Sequence, residues 1–257
     1  MRGWLRDLTD LVLPVDCAGC GSARTPVCQE CLAALCSSGG LRVRPDPEPD
    51  GLPVVHAAAA YEDAVRALLL AHKERGALGL AGALGRALAG AVTAARRERH
   101  HPGPASPVGA PLLLVPVPSA RSAVRARGHD PARRIALAAA AELRRTGTAA
   151  RVAAVLRQRR AVADQVGLDA RARLANLRGA LEVPPGGGGV LAQGPVVLVD
   201  DVMTTGASLV ESARAVRAAL PAGRAEPFGR CSDHSVCAAV VAAPPQTSPT
   251  ASGMKWN

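Results

Sequence analysis

Apolar residues recur along this chain with two different periods, and the changes of period mark its elements. Short unbroken apolar runs at VVHAAAAY (Val54 to Tyr61), LLLVPVPSA (Leu112 to Ala120), VVLV (Val196 to Val199) and VCAAVVAA (Val236 to Ala243) have the length of strands covered on both faces. Between them the period becomes helical. Val65, Leu68, Leu69 and His72 fall on one face of EDAVRALLLAHKERG, and a second helix is predicted from about Ala77 to Arg99. DPARRIALAAAAELRRTG starts with Asp130 before Pro131, which suits an N-cap followed by proline in the first turn. A further helix is predicted from about Ala207 to Leu220. Strands alternating with helices predict an α/β fold built on a parallel sheet.

Proline, glycine and charge punctuate this pattern. RPDPEPDGLP (residues 44–53) reads as a linker, and HHPGPASPVGAP (residues 100–111) breaks the chain again. PPGGGG, Pro184 to Gly189, reads as a flexible turn with no helix after it and no Lys-Ser or Lys-Thr pair, so it is not read as a phosphate loop. VLRQRRAVADQVGLDARARLANLRGAL lacks a clean apolar face over its first half and is the candidate for a mobile or ligand-covering segment. The expected organisation is a knuckle and linker at 1–50 and an α/β domain at 51–243, with a helical segment at 62–100. A disordered Ser/Thr/Pro tail is expected at 244–257.

A chain of 257 residues that is 48% hydrophobic can bury a substantial core, and 2% aromatic content means that Leu, Val and Ala must build it. The formal charge of +10 is carried almost wholly by arginine, because Lys73 and Lys255 are the only lysines. Between Arg121 and Arg178 fourteen arginines face four acids, a segment suited to phosphate-rich ligands or to nucleic acid. Of the aromatics Trp4, Tyr61, Phe228 and Trp256, none lies in that segment, so direct stacking on single-stranded bases is not supported and a protein partner is the better expectation. No apolar run reaches the roughly 18 residues of a bilayer-spanning helix without interruption. Two Asp break up the opening MRGWLRDLTDLVLPVDC, making it a poor signal peptide, and the cytoplasm is the expected compartment.

Five of the seven cysteines fall within twenty residues. CAGC (Cys17, Cys20) and CQEC (Cys28, Cys31) are two CxxC pairs with seven residues between them, a spacing that closes four thiolates around one structural zinc ion. A disulfide pair is disfavoured by the compartment. Cys36 is expected to be a spare buried thiol, and Cys231 and Cys237 are unassigned.

The chemistry concentrates in VVLVDDVMTTGAS. At the carboxyl end of a parallel strand, Asp200 and Asp201 stand where ligands gather, and TTGAS turns into the next helix. Backbone amides at that turn, the helix dipole and the hydroxyls of Thr204, Thr205 and Ser208 make a phosphomonoester cradle spanning Thr204, Thr205, Gly206, Ala207 and Ser208. A side chain at Gly206 is expected to occupy the space of the phosphate oxygens without disturbing the core. The two carboxylates would be repelled by phosphate and so face sugar hydroxyls, a metal ion, or both.

This string resembles the phosphoribosyl-pyrophosphate signature of type I phosphoribosyltransferases. Together with the double CxxC knuckle, YEDAVRALLLAHKERG, VPVPSARSAVRARGHDPA and ADQVGLDARARLANLRGAL, it is similar to the ComF family of competence-associated proteins. The resemblance implies a type I phosphoribosyltransferase-like sheet with an N-terminal zinc knuckle. It also implies that Asp200 and Asp201 meet the ribose hydroxyls, that Thr204 to Ser208 meet the 5′-phosphate, and that Mg²⁺ accompanies phosphoribosyl pyrophosphate. The strand and loop VPVPSARSAVRARG are implied to lie near the pyrophosphate, with Lys73, Arg121, Arg125 and Arg127 as candidate cations. Two functions follow as expectations: phosphoribosyl transfer with release of pyrophosphate, or a non-catalytic, ligand-binding accessory role in competence and single-stranded DNA processing. The chain reads RGHDPA where family members often read arginine-glycine-phenylalanine-asparagine-glutamine, and PAGRAEPFGRCSDHS (residues 221–235) looks like an insertion.

Overall fold

Valine, leucine and alanine build nearly all of the strands, and compact side chains without polar atoms suit positions covered on both faces. The computed structural model describes residues 16–99, 110–160, 162, 169–220 and 236–245. In chain order the elements are α1 (Gln29–Leu35), β1 (Leu41–Val43), β2 (Val55–Ala60), α2 (Asp63–Glu74) and, after a 3-10 turn at Leu78–Leu80, α3 (Ala81–Arg99). Next come β3 (Leu112–Pro116), α4 (Arg121–Arg127), α5 (Pro131–Arg145), β4 (Ala150–Val152), β5 (Arg157–Gln158) and α6 (Ala170–Leu177). β6 (Leu181–Glu182), α7 (Gly187–Leu191), β7 (Val196–Val202), α8 (Ala207–Ala219) and β8 (Val236–Ala243) follow.

Six strands form one sheet in the order β1-β2-β8-β7-β3-β4, parallel except for β1, which pairs antiparallel with β2. β5 and β6 form a separate two-stranded antiparallel ribbon. Alternation within β8 shows how both faces are filled. Val236, Ala238 and Val240 pack with Leu113, Leu198 and the α8 residues Leu209, Ala213 and Val216. Cys237, Ala239 and Val241 pack on the other face with α2, α3 and α5 through Leu68, Leu88 and Ile135.

This layering sets the position of the site. β3 and β7 are neighbours, with Pro116 opposite Val199. The chain leaving β3 passes through α4 to α5 on one face, whereas the chain leaving β7 enters α8 on the other. The connections diverge at the carboxyl ends of β3 and β7, a topological switch point of the kind where open α/β sheets bind ligands.

The mixed, mostly parallel sheet agrees with the sequence reading, as do the helix caps. Asp130 accepts from the Arg133 N–H at 3.1 Å with Pro131 in the first turn. Two expectations need correction. The last three glycines of PPGGGG open a helix, the short α7. Residues 121–127, read as part of a strand-and-loop segment, form helix α4. Packing runs across residue 50: β1 is a strand of the main sheet, and Cys17, Cys31 and Leu35 share one core with α2 and α3. Leu78–Glu98, which Arg86, Arg96 and Arg97 interrupt, is long and apolar enough by length and composition to cross a membrane, and more than half of its most apolar stretch is buried within this fold. The insertion at 221–235 with Cys231, the chain start before Asp16 and the tail after Pro245 lie outside the described residues, as do 163–168 of the Arg-dense segment.

Candidate functional site

The cysteine knuckle is built from two local turns. The Gly21 N–H donates to the Cys17 carbonyl at 2.8 Å, and Cys28 caps α1 with its sulfur facing the Cys31 N–H at 3.4 Å. A second backbone donor, the Cys28 N–H, points at Cys17 Sγ at 3.3 Å. The four Sγ atoms of Cys17, Cys20, Cys28 and Cys31 lie within 4.8 Å of one another. Four thiolates about 2.3 Å from a shared tetrahedral ion require such clustering, so this set can hold a structural metal ion. Burial would raise the Cys17 thiol, but the backbone N–H groups of Cys20, Cys28 and Gly19 outweigh it and lower its pKa to about 6. Cys31 is pushed up by burial and by the three sulfurs around it. A Cβ on Gly19 would lie 2.7 Å from Cys31 Sγ and 3.4 Å from Ala64 Cβ, so the first turn is pressed between the second pair and the start of α2. Cys36, a buried thiol by the sequence reading, is instead exposed at the end of α1, outside the cluster. Cys237 is buried in β8.

Read as standing at the exit of a strand that ends at Val199, the two acids instead lie inside β7 near its carboxyl end, just before its last residue Val202: Asp200 is half-buried and Asp201 is 5% exposed. Each carboxylate accepts from the next backbone N–H at 2.8 Å, Asp200 from Asp201 and Asp201 from Val202. These bonds fix both side chains at the strand end. The other Asp201 oxygen, Oδ2, meets Lys73 Nζ at 2.8 Å. Burial, then the adjacent Asp201 charge, pushes the Asp200 carboxyl well above the usual carboxylate range. Burial alone would lower Lys73, but Asp201 overrides it and holds the ammonium above its ordinary value.

The turn after the acids runs into an uncapped helix. Gly206 occupies the N-cap of α8 with φ +77° and provides no side-chain cap. The first intrahelical donor from this turn is Val210, to the Gly206 carbonyl at 2.9 Å, so the N–H groups of the preceding helical residues keep their capacity to bind an anion. Thr204 is exposed, and Thr205 and Ser208 are half-buried beside them. Gly206 and Ala207 are buried. The expectation that a side chain at Gly206 would leave the packing undisturbed does not hold. Its missing side chain faces Leu52 and Pro49 of the 44–53 segment, at 2.8 Å from Leu52 Cδ1 and 3.5 Å from Pro49 Cγ. The segment read as a linker therefore packs on the turn, and a substitution at Gly206 disturbs folded packing.

Of the candidate cations, the structure brings Lys73 to the acids. Arg127 lies one step further away, 3.4 Å from Glu74, the neighbour of Lys73. Arg121 and Arg125 are exposed on α4. Much of the remaining basic segment is used internally: Arg157 and Arg159 face Glu182, and Arg144 donates to the Ala150 carbonyl at 2.7 Å. The ribbon and α6 are anchored beside the turn. Buried Glu211 of α8 accepts from the Leu181 N–H at 2.9 Å, while Arg214 donates to the Leu181 carbonyl at 2.8 Å. Leu177 and Ala180 pack on Ala207.

Sequence reasoning missed the pairing of Lys73 with Asp201 and the cover that Leu52 places over Gly206. The available signal for the first was the position of Lys73, directly after the core residue His72 in the last turn of α2. No protein-family model matches the chain, and no curated protein matches its sequence.

Proposed function

We propose that this chain is a ComF-type, phosphoribosyltransferase-like protein whose β7 exit binds phosphoribosyl pyrophosphate. The observation that carries the reading is the position of one sequence string. Two acids fixed by backbone N–H groups and an uncapped helix N-terminus with hydroxyls lie in immediate succession at the carboxyl end of β7, beside β3. In this reading Asp200 and Asp201 accept from the ribose hydroxyls and the turn from Thr204 to Ser208 donates to the 5′-phosphate. Pyrophosphate lies toward Lys73 and the arginines of α4. Mg²⁺ arrives with the ligand and offsets the charge of its pyrophosphate. The four-cysteine centre holds zinc.

Two forms of this reading differ in chemistry. As an enzyme, the protein would hold an acceptor in line with C1 while the bond from C1 to the pyrophosphate oxygen breaks and pyrophosphate leaves. As an accessory protein it would bind the same ligand without turnover and act with partners in competence and DNA processing in the cytoplasm. Tyr61 is the sole Tyr, Phe or Trp among the described residues, and it packs against the core, so none of the described residues offers such a ring to a nucleobase acceptor, which favours the second form.

Calorimetric titration with phosphoribosyl pyrophosphate and Mg²⁺ tests the shared part, with binding in the micromolar range expected. No heat and no thermal stabilisation at millimolar ligand would overturn it. Pyrophosphate release measured across the common bases then separates the enzyme from the accessory protein.

A further inference from the structure

We propose that His129 is a positioning residue that ties the last turn of α2 to the loop between α4 and α5 and thereby keeps Lys73 on Asp201. His129 Nε2 lies 3.1 Å from the His72 carbonyl oxygen, and Nδ1 lies 3.1 Å from the Arg127 carbonyl oxygen. An imidazole carrying its proton on Nε2 donates to the first of these, and an imidazolium donates to both. The carbonyl it reaches matters. α2 ends at Glu74, so His72 belongs to the last turn, whose carbonyls lack the full set of intrahelical donors. The Arg75 and Ala77 N–H groups both turn back to the Ala71 carbonyl, leaving the His72 carbonyl to His129.

Side chains reinforce the same junction. The His72 and His129 rings meet edge-on, 5.5 Å apart at 82°. Arg127 reaches Glu74 from the other side of Lys73. On the α5 side the loop is fixed by Gly128, at φ +76°, and by Asp130, which caps α5. Lys73 immediately follows the residue that His129 holds, so its ammonium is delivered to Asp201 from a backbone clamped at one end by another element.

The consequence is charge compensation. Asp201 is nearly inaccessible to water, and its closest cation is a lysine whose side chain is 36% exposed and free to leave unless its backbone is fixed. Holding Lys73 in place keeps the acid pair arranged in the free protein and keeps the ammonium beside Asp201. The part of this inference that concerns ligand affinity rests on the proposed phosphoribosyl pyrophosphate site; the part that concerns Lys73 does not.

Lysine reactivity reads the clamp directly. Lys73 and Lys255 are the only lysines and fall in different peptides, so reductive methylation of the folded protein followed by peptide mass analysis reports Lys73 alone. In the parent, Lys73 should react at least tenfold more slowly than in the urea-unfolded chain. His129→Phe keeps a ring for the edge contact but has no N–H, and should bring Lys73 close to the unfolded rate with metal content unchanged. Asp201→Asn should do the same, and the double variant should go no further. His129→Phe should also weaken binding of Mg²⁺-phosphoribosyl pyrophosphate about tenfold, the loss of about one hydrogen bond, and should have no additional effect in a Lys73→Met background. Unchanged Lys73 reactivity in a folded His129→Phe protein overturns the proposal. So does a parent Lys73 as reactive as in the unfolded chain, which decides the matter even if the variant does not fold. If Lys73 behaves as expected but the parent binds no ligand, the positioning role stands and the ligand reading falls. If the parent binds the ligand while Lys73 reacts freely, the ligand reading stands and the positioning role falls.

Discussion

Leu52 lies over Gly206: a Cβ on the glycine would be 2.8 Å from Leu52 Cδ1. The glycine also has φ +77°, a conformation that costs other residues about 1–2 kcal/mol. Two separable penalties follow. Gly206→Ala should lose about 1–2 kcal/mol in urea unfolding, and Gly206→Val should lose more. In a Leu52→Ala background the steric part of the valine penalty should disappear while the backbone part remains. Equal stability of Gly206→Val and the parent would contradict this packing.

Because Gly206 packs against Leu52, Asp200 is the cleaner probe of the proposed ligand site. It is half-buried and does not belong to the hydrophobic core. Asp200→Ala should weaken phosphoribosyl pyrophosphate binding by about 1.5–3 kcal/mol, the value of hydrogen bonds to a charged group. Asp201→Ala should weaken it similarly but also leave Lys73 without its carboxylate, so its melting temperature should change as well. Parent-like affinity in both variants rules out the diol assignment.

The metal prediction concerns stoichiometry and fold together. Purified protein should carry close to one zinc per chain, and Cys17→Ser or Cys28→Ser should lose it. The buried pair Cys17 and Cys31 belongs to the same core as α2 and α3, so metal loss should lower the melting temperature on the order of 10 °C. Full stability of a metal-free protein would remove the structural role.

His72 gives a pH dependence with a definite sign. It is fully buried, and burial first, then the neighbouring His129, lowers its pKa to about 4, against the pull of Asp201. The unfolded chain takes up this proton near 6.5 and the folded chain only near 4, so stability is fully present above 6.5 and falls as pH drops through that window. Between pH 7 and pH 5 the loss from this residue should be about 2 kcal/mol. His72→Leu should flatten the slope of stability against pH by that amount, whatever it does to stability at pH 7. An unchanged slope would show that His72 titrates alike in both states.

Glu211 offers a test away from the ligand. Its carboxylate is buried against the Leu181 N–H and Arg214, and these partners hold it below its ordinary pKa although burial would raise it. Glu211→Ala leaves a buried N–H unsatisfied and should cost about 1–3 kcal/mol. Limited proteolysis should then cut the segment containing β5, α6 and β6 faster than in the parent; equal cutting would mean that Leu177 and Ala180 on Ala207 suffice to anchor it.

Periodicity made much of this architecture readable in advance. The stripe Val65, Leu68, Leu69 and His72 lies in the core as expected, and the alternating fill of β8 follows from a run with no polar side at all. Caps were readable because Asp130 and Pro131 act within one turn of themselves. What was hidden depended on partners remote in sequence. Nothing near Lys73 announces Asp201, and nothing near Gly206 announces Leu52. The three-residue β1 takes its place in the sheet from β2, in a segment whose prolines dominate its local signal. α4 and α7, of seven and five residues, are too short to display a face.

The position of β8 has a consequence for how the chain reaches this state. It lies between β2 and β7, pairing Val55 with Ala238 on one side and Leu198 with Ala238 on the other. Until residues 236–243 have left the ribosome, β1 and β2 have no hydrogen-bonded connection to β7, β3 and β4, and two sheet fragments wait with open edges. Joining them closes loops spanning most of the chain, a slow step with strand edges exposed in the meantime. Synthesis of the final strand thus determines when the acids at the end of β7 first sit within a complete sheet.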